Sequence, residues 1–287
     1  MVSPPEQVTL LNATGLHRPN TREELEQMLG ADIVRRYHVV NHHAEEEASH
    51  TFVGTTSTGT PVWLDRRYVE ATLRIVTGFI EPHFFAGFSG GAKSVLPGVA
   101  GATSIMANHN ATKIGHPQST WAVTQGNPIF EESREAVRLA PPHFLVNVTL
   151  NREKRITGVF AGAWEEAHDA GCACVKESAM RPVDGPFDVV VTTNSGYPLD
   201  LNLYQAVKGM SAAAQIVRPG GAIVVAAECR EGIGHGCYAQ LLHRCGTPDE
   251  LLELIHRPGF AMLDQWQVQI QAEILRKARV YLYSDCL

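Results

Sequence analysis

Three absences bound what this chain can be. Its 287 residues hold no apolar run long enough to cross a bilayer and no charged-then-apolar leader, so a cytoplasmic protein with no membrane partner is expected. Basic charge is not in excess. The 24 Lys and Arg stand against 30 Asp and Glu, a formal net charge of −6, and the electrostatic footprint of a nucleic-acid binder is missing. No cysteine precedes position 172, and the 6 cysteines read as free thiols rather than a disulfide framework. Low-complexity tracts and internal repeats are absent as well. What remains is ordinary globular material, 44% hydrophobic, enough for one large or two smaller domains.

The N-terminal part reads as short alternating elements. VTLLNAT (8–14) has strand content, and TREELEQMLG reads as a helix opened by Asn20-Thr21 and closed by Gly30. HVVNHH (38–43), TFVGTT (51–56) and PVWLDRRYV (61–69) suggest further strands, while LRIVTGFI (73–80) is a buried strand or a short helix. NPIFEESREAVRLA (127–140) is a helix capped by Asn127 with Pro128 at its first position. The segment 143–162 reads as a hairpin, and AWEEAHDAGCACVKESAM as the helix after it.

RPVDGP (181–186) is polar and turn-rich, the best linker in the chain. Beyond it FDVVVTT (187–193), the helix LDLNLYQAVKGMSAAAQIV, an RPGG turn and AIVVAA (222–227) form a βαβ unit, which implies a parallel sheet. Thr247-Pro248-Asp249-Glu250 opens another helix and 278–284 closes with a strand. The expected class is α/β with two domains, 1–185 and 186–287, each a mixed or parallel sheet with flanking helices.

The stretch 83–98, HFFAGFSGGAKSVLPG, carries the strongest chemical signal. A phosphate-binding loop requires G-x-x-x-x-G-K-[ST]; Gly87, Lys93 and Ser94 fit, but Ala92 stands where the second glycine must be. A nucleotidase that depends on Lys93 is the weaker reading, although Gly90 and Gly91 could still expose backbone donors to a single phosphate. His83 opens the stretch, His109 follows in MANHN after a turn-rich passage, and His17 sits in ATGLHRP after the first strand. Imidazole is both the commonest transition-metal ligand and a proton carrier near neutral pH, so these loops permit a metal and acid–base site. A second metal candidate, His168-x-x-x-Cys172-x-Cys174, lacks a further pair at zinc spacing and reads equally as buried small side chains.

GLHRP, PHFFAGFSGGAKSVLPGV, the Asn-His of MANHN, YQAVKG (204–209) and the tryptophan of DQWQ (264–267) occur in order. Together they resemble the signature of the nickel-pincer lactate racemase family, which acts on 2-hydroxy acids. The resemblance implies a pyridinium-3,5-bisthiocarboxylic acid mononucleotide carrying nickel, joined covalently to Lys93, with Gly90, Gly91 and Tyr204 at the cofactor. It implies His109 as the nickel ligand and His17 and His83 as the acid–base pair, one for each enantiomer. Lys208, with Gln205 and Trp266, is implied at the substrate, and Lys208 also in catalysis. The active site is then expected in the cleft between an N-terminal cofactor-binding and catalytic domain and a C-terminal domain. Enzymes that build the cofactor are implied partners.

Hydride removal makes chemical sense of these residues. Pulling a proton from the carbon beside a carboxylate builds up negative charge, whereas a pyridinium ring can take the hydrogen with its electrons. Each direction then needs its hydroxyl proton removed, hence two bases. The chain departs from relatives at both ends: the Asp-His-Thr-Arg-Pro stretch expected before GLHRP has no counterpart in the opening MVSPPEQVTLLNA, and the chain stops at YLYSDCL, earlier than relatives are expected to. A fragment or shortened relative is expected, and a non-catalytic cofactor-binding remnant is the alternative to an active racemase.

Overall fold

The short alternating segments pair into small sheets in a computed structural model that describes residues 4–234 and 236–287. His235, which the sequence reading leaves as a loop residue without a role, lies outside the described residues. Contacts divide the chain into two units. One comprises Met1–Pro82, Phe88–Asn108 and Ile129–Ala179; the other comprises His83–Gly87, His109–Pro128 and Met180–Leu287.

In the first unit, Thr9–Asn12 pairs in parallel with His38–Asn41, and His50–Thr55 pairs antiparallel with Pro61–Asp65. A third, mixed sheet places Phe144–Leu150 between Ile75–Phe79, which runs parallel to it, and Ile156–Gly162, which runs antiparallel. The ambiguous 73–80 segment is therefore a strand: its pairing with the buried Leu145 side decides what periodicity could not. The Trp164–Ala179 helix covers one face of this sheet, and Val62, Leu64, Leu96, Ile105 and Leu145 form the heart of the core. Two expectations are corrected. The strand expected over 61–69 stops at Asp65, whose carboxylate accepts from the Arg67 N–H at 2.9 Å and starts the Arg66–Glu70 helix. The turn-rich passage before His109 is in fact the helix Ala102–Asn108.

The second unit is built on a parallel sheet with Val217–Ala226 between Phe187–Thr193 and Arg279–Tyr283. The expected RPGG turn lies inside the central strand. The register jumps from Phe187↔Val217 to Val189↔Ala222, so the glycines are absorbed as a bulge, where missing side chains are tolerated. The Leu203–Ala214 helix begins at Asn202, whose side chain accepts from the Gln205 N–H at 3.0 Å. Gly209 lets this helix press onto the sheet, since a Cβ there would sit 2.4 Å from the Thr193 carbonyl oxygen. The Gln265–Lys277 helix was not legible beforehand: it buries Gln265, Gln267 and Gln269 beside Trp266, Val268 and Ile270, which blurs its apolar stripe.

Both three-stranded sheets keep one face open. Ile156, Val159 and Phe79 on the mixed sheet, and Val191, Tyr281 and Tyr283 on the parallel sheet, are exposed. Parallel sheets are normally covered on both sides, so this apolar exposure is unusual. Among the described residues no helix is long and apolar enough to cross a membrane.

Candidate active site

Lys93 projects from a single 3-10 turn, Gly91–Ser94, and is half-buried. The turn is reached through two glycines with positive φ, Gly90 at 72° and Gly91 at 51°, a backbone path that side chains resist. A phosphate loop would feed a long helix whose N-terminal amides hold the anion; this four-residue turn does not. The loop is instead anchored from below. Ser89 N–H donates to the Glu81 carbonyl and Ser89 Oγ to the Phe79 carbonyl, each at 2.9 Å. Gly91 N–H donates to Asn147 Oδ1 at 2.9 Å, and His168 Nε2 lies 2.9 Å from the Ser89 carbonyl.

The far end of that loop reaches the His17 loop within the same unit. Gly15 N–H donates to the Gly98 carbonyl at 2.9 Å, and His17 N–H to the Thr14 carbonyl at 3.0 Å. Thr14 Oγ1 donates to the His42 carbonyl at 2.8 Å, while the His42 ring spans the Ala100 carbonyl at 3.0 Å and Asp65 Oδ2 at 3.3 Å. His17 is exposed beside a cavity of about 530 Å³ whose lining includes His17, Arg18, His42, His43 and Glu46. Arg18 is committed to Glu24, with bonds of 2.8 and 2.6 Å, and holds that carboxyl down to about 2. Glu24 also closes the Thr21 capping box, so Arg18 braces the helix start.

The second unit lines up aromatic and imidazole rings. His83 meets Phe85 edge to face with centroids 4.6 Å apart, Phe85 meets His109 at 5.1 Å, and His109 meets Trp266 at 5.4 Å. Trp266 Nε1–H donates to the Tyr204 hydroxyl at 3.3 Å, and Tyr204 meets Tyr238 at 5.4 Å. Burial pushes the Tyr204 phenol up, so it stays protonated in this row. His83 Nδ1 accepts from the Ala86 N–H at 3.2 Å, which puts the proton of the neutral ring on Nε2. His109 is buried, and it follows Asn108, whose side chain donates to the buried Glu132 at 2.7 Å. Trp121 donates to Ser211 Oγ at 3.1 Å and lies against Phe84, tying the 109–128 segment to the Leu203–Ala214 helix.

Of the residues singled out in the sequence, His17, Gly90, Gly91 and Lys93 thus lie in the first unit. His83, His109, Tyr204, Gln205, Lys208 and Trp266 lie in the second. Within the second, His83, His109, Trp266 and Tyr204 form one continuous row, and Tyr204 and Lys208 are four apart on one helix face. The reading missed Phe85 and Asn147, and it singled out His168 only as part of a weak metal candidate with Cys172 and Cys174. Asn147 left a signal: a lone amide at a core-facing position of the alternating FLVNVTL strand. His168 and Cys172 share the buried face of their helix, whereas Cys174 is exposed, and all 6 cysteines are free.

Comparison with known proteins adds a separate finding. A family model described as the lactate racemase N-terminal domain matches residues 1–122, and one described as the lactate racemase C-terminal domain matches residues 184–287. The lactate racemase of Lactiplantibacillus plantarum is 42% identical over 287 residues, spanning 99% of this chain and 67% of that protein. The lactate racemase of Thermoanaerobacterium thermosaccharolyticum is 39% identical over 280 residues, spanning 97% of this chain and 66% of that protein. The chain therefore spans about two thirds of the length of these curated relatives. The solved structure of the latter's apoprotein superimposes with a TM-score of 0.94 at 38% identity, over 97% of this chain and 67% of that one. A Thermotoga maritima structure shares the fold at a TM-score of 0.75 and 19% identity, over 97% of this chain and 76% of that one.

Proposed function

The chain belongs to the lactate racemase family, a family of isomerases, and from that premise we propose that it interconverts the enantiomers of lactate or a related 2-hydroxy acid. The observation that supports this reading best is the row His83–Phe85–His109–Trp266, which joins three of the residues that the family motifs single out. The cytoplasm is the setting we assign, with a small dissolved acid as substrate and cofactor-building enzymes as partners.

The side chains suit a nickel-pincer nucleotide. Among the described residues no cluster of three His, Cys, Asp or Glu could hold a metal by itself. His109 offers one buried imidazole, which would suit a nickel ion whose other ligands belong to an organic group. Lys93, on its glycine turn, is the amine that would hold that group covalently, and Gly90, Gly91 and Tyr204 are the further residues we assign to binding it. When bound, the group would supply an electrophilic ring able to accept the α-hydrogen with its electron pair.

The chain's own residues handle the remaining steps. His17 and His83 hold and move the hydroxyl proton, one taking it as the alcohol becomes a carbonyl and the other giving one back as the alcohol re-forms. To take that proton at Nε2, His83 must carry its own ring proton on Nδ1 and release the Ala86 N–H, which lies 3.2 Å away. Lys208 pairs with the substrate carboxylate and Gln205 hydrogen-bonds it, both from the Leu203–Ala214 helix. Trp266 walls off the imidazole of His109 and keeps water from it. In this reading residues 1–185 supply His17, His83, Lys93 and His109, and residues 186–287 supply Tyr204, Gln205, Lys208 and Trp266.

The test is intact-mass measurement after incubation with the completed pincer nucleotide, for wild type and Lys93→Ala, followed by chiral analysis of lactate and larger 2-hydroxy acids. An adduct with nickel on wild type alone, together with racemisation, is the expected result. An adduct without turnover would identify a cofactor-binding remnant. No adduct on folded wild-type protein would end the nickel-pincer reading.

A further inference from the structure

Two buried polar side chains that the motifs do not include lie directly beneath the Lys93 turn. Asn147, fully buried on the central strand of the mixed sheet, accepts the Gly91 N–H at 2.9 Å, and its own amide donates to the Val146 carbonyl at 3.2 Å. His168, buried on the Trp164–Ala179 helix, places Nε2 at 2.9 Å from the Ser89 carbonyl. A carbonyl oxygen can only accept, so Nε2 carries the ring proton and Nδ1 carries a lone pair. That Nδ1 is buried and has no hydrogen-bond partner among the described residues. The ring stacks on Phe130 at 5.9 Å, and a Cβ on Gly91 would fall 2.4 Å from it. A Cβ on Gly90 would likewise fall 2.7 Å from Asn147 Oδ1.

A hydrophobic pair of the same shape would fill this space without leaving a buried nitrogen unpartnered, an arrangement that is ordinarily destabilising. The polar atoms are therefore best explained by what they grip. One holds the peptide oxygen before the two glycines and the other holds the peptide N–H between them. Burial pulls the His168 pKa down, which keeps the ring neutral in this role. Cys172 Sγ lies 3.5 Å from Nε2, and its thiol is pushed up to about 12 by burial, so no thiolate competes for the proton.

We propose that Asn147 and His168 are positioning residues that clamp the 89–91 turn by its peptide groups and thereby aim Lys93. The inference rests on the reading of Lys93 as the cofactor's attachment point, but its geometry concerns only the turn. A clamped turn presents the lysine amine along one direction, whereas a released one lets it wander and lose the geometry for coupling.

The experiment uses the full chain without cofactor. Acetylation of Lys93 by acetic anhydride is followed by peptide mass spectrometry and compared with the exposed Lys154 and Lys176 in the same sample. In wild type, Lys93 is expected to react roughly tenfold more slowly than these two, within the ~100-fold that about 1 Å of misplacement can impose on a reaction. In His168→Leu and Asn147→Leu that difference collapses, and in His168→Gln, which keeps a donor for the Ser89 carbonyl, it returns. Leucine variants that melt cooperatively yet leave the Lys93 rate at the wild-type value would overturn the proposal. So would a glutamine variant no better than leucine, since the ring would then act by packing alone. Should a leucine variant fail to fold, His168→Asn and Asn147→Ser carry the same comparison. If wild-type Lys93 never takes up the pincer nucleotide, the functional reading falls while the acetylation series still decides on the clamp.

Discussion

His109 and Trp266 meet edge to face with ring centroids 5.4 Å apart, and the same indole donates its N–H to the Tyr204 hydroxyl at 3.3 Å. One tryptophan thus touches the residue assigned to nickel and a residue assigned to the cofactor. The edge-to-face pairing fixes the plane of the imidazole, and a ligand's ring plane decides where its lone pair points.

Trp266→Ala should consequently separate metal retention from covalent attachment. Removing so large a buried ring should lower stability by about 3–5 kcal/mol. Trp266→Phe keeps a ring edge but loses the N–H bond and part of the ring volume, so it should cost less than alanine, about 1–3 kcal/mol. Denaturant melts give these values. Nickel counted per protein after loading should fall in the alanine variant, fall less in phenylalanine, and leave the Lys93 adduct mass in place.

His17 and His83 should behave alike in catalysis and unlike in stability. Each alanine variant should lose about 10²–10⁴-fold in kcat/KM, the usual contribution of a positioned acid–base group. His17 is exposed, so its variant should melt at the wild-type temperature. His83 packs against Phe84 and Phe85 and accepts a backbone N–H, so its variant should melt earlier. Chiral assays run from each enantiomer, alongside thermal melts, check both statements.

Asp65 should govern the acid limb of stability. Burial pushes its carboxyl up, but bonds from Arg67 and His42 outweigh burial and hold it well below the usual carboxylate range. A carboxyl lowered in the folded state stabilises the protein above its unfolded pKa of about 4 and loses that contribution as pH falls towards the folded value. Urea midpoints between pH 3 and 7 should therefore drop on the acid side in wild type. Asp65→Asn should be less stable at pH 7, by about 3–5 kcal/mol for a broken buried pair, with the gap narrowing as pH falls.

The open sheet faces should be sticky. Val159 and Val191 are exposed in the middle of apolar strand faces, where charge meets no buried partner. The wild-type chain should bind a hydrophobic dye in its folded state and associate with rising concentration. Val159→Lys with Val191→Lys should reduce both, read by dye fluorescence and light scattering, without lowering the melting temperature by more than a few degrees.

Much of this was legible in residues alone. The glycine loop around Lys93, the order of the histidine motifs and the βαβ unit follow from local patterns: backbone freedom at glycine, turn residues at element ends, and apolar runs of strand length. Capping at Thr21 and Thr247 was legible for the same reason, because a side-chain acceptor reaches an amide three residues on. The Gln265–Lys277 helix and the RPGG bulge were not, since buried glutamines imitate a polar face and paired glycines imitate a turn until a neighbouring strand is present.

The partners of the site belong to the same second category. His83, Phe85, His109 and Trp266 are spread over 183 positions, and nothing local links position 85 to position 266. Asn147 and His168 became part of the Lys93 loop only when a strand and a helix carried their polar atoms under its peptide groups. The sequence by itself determined which side chains are chemically able to hold a metal, an amide link and a proton. Tertiary structure alone decided which of them touch, because contact at 3–5 Å is set by the packing of distant elements.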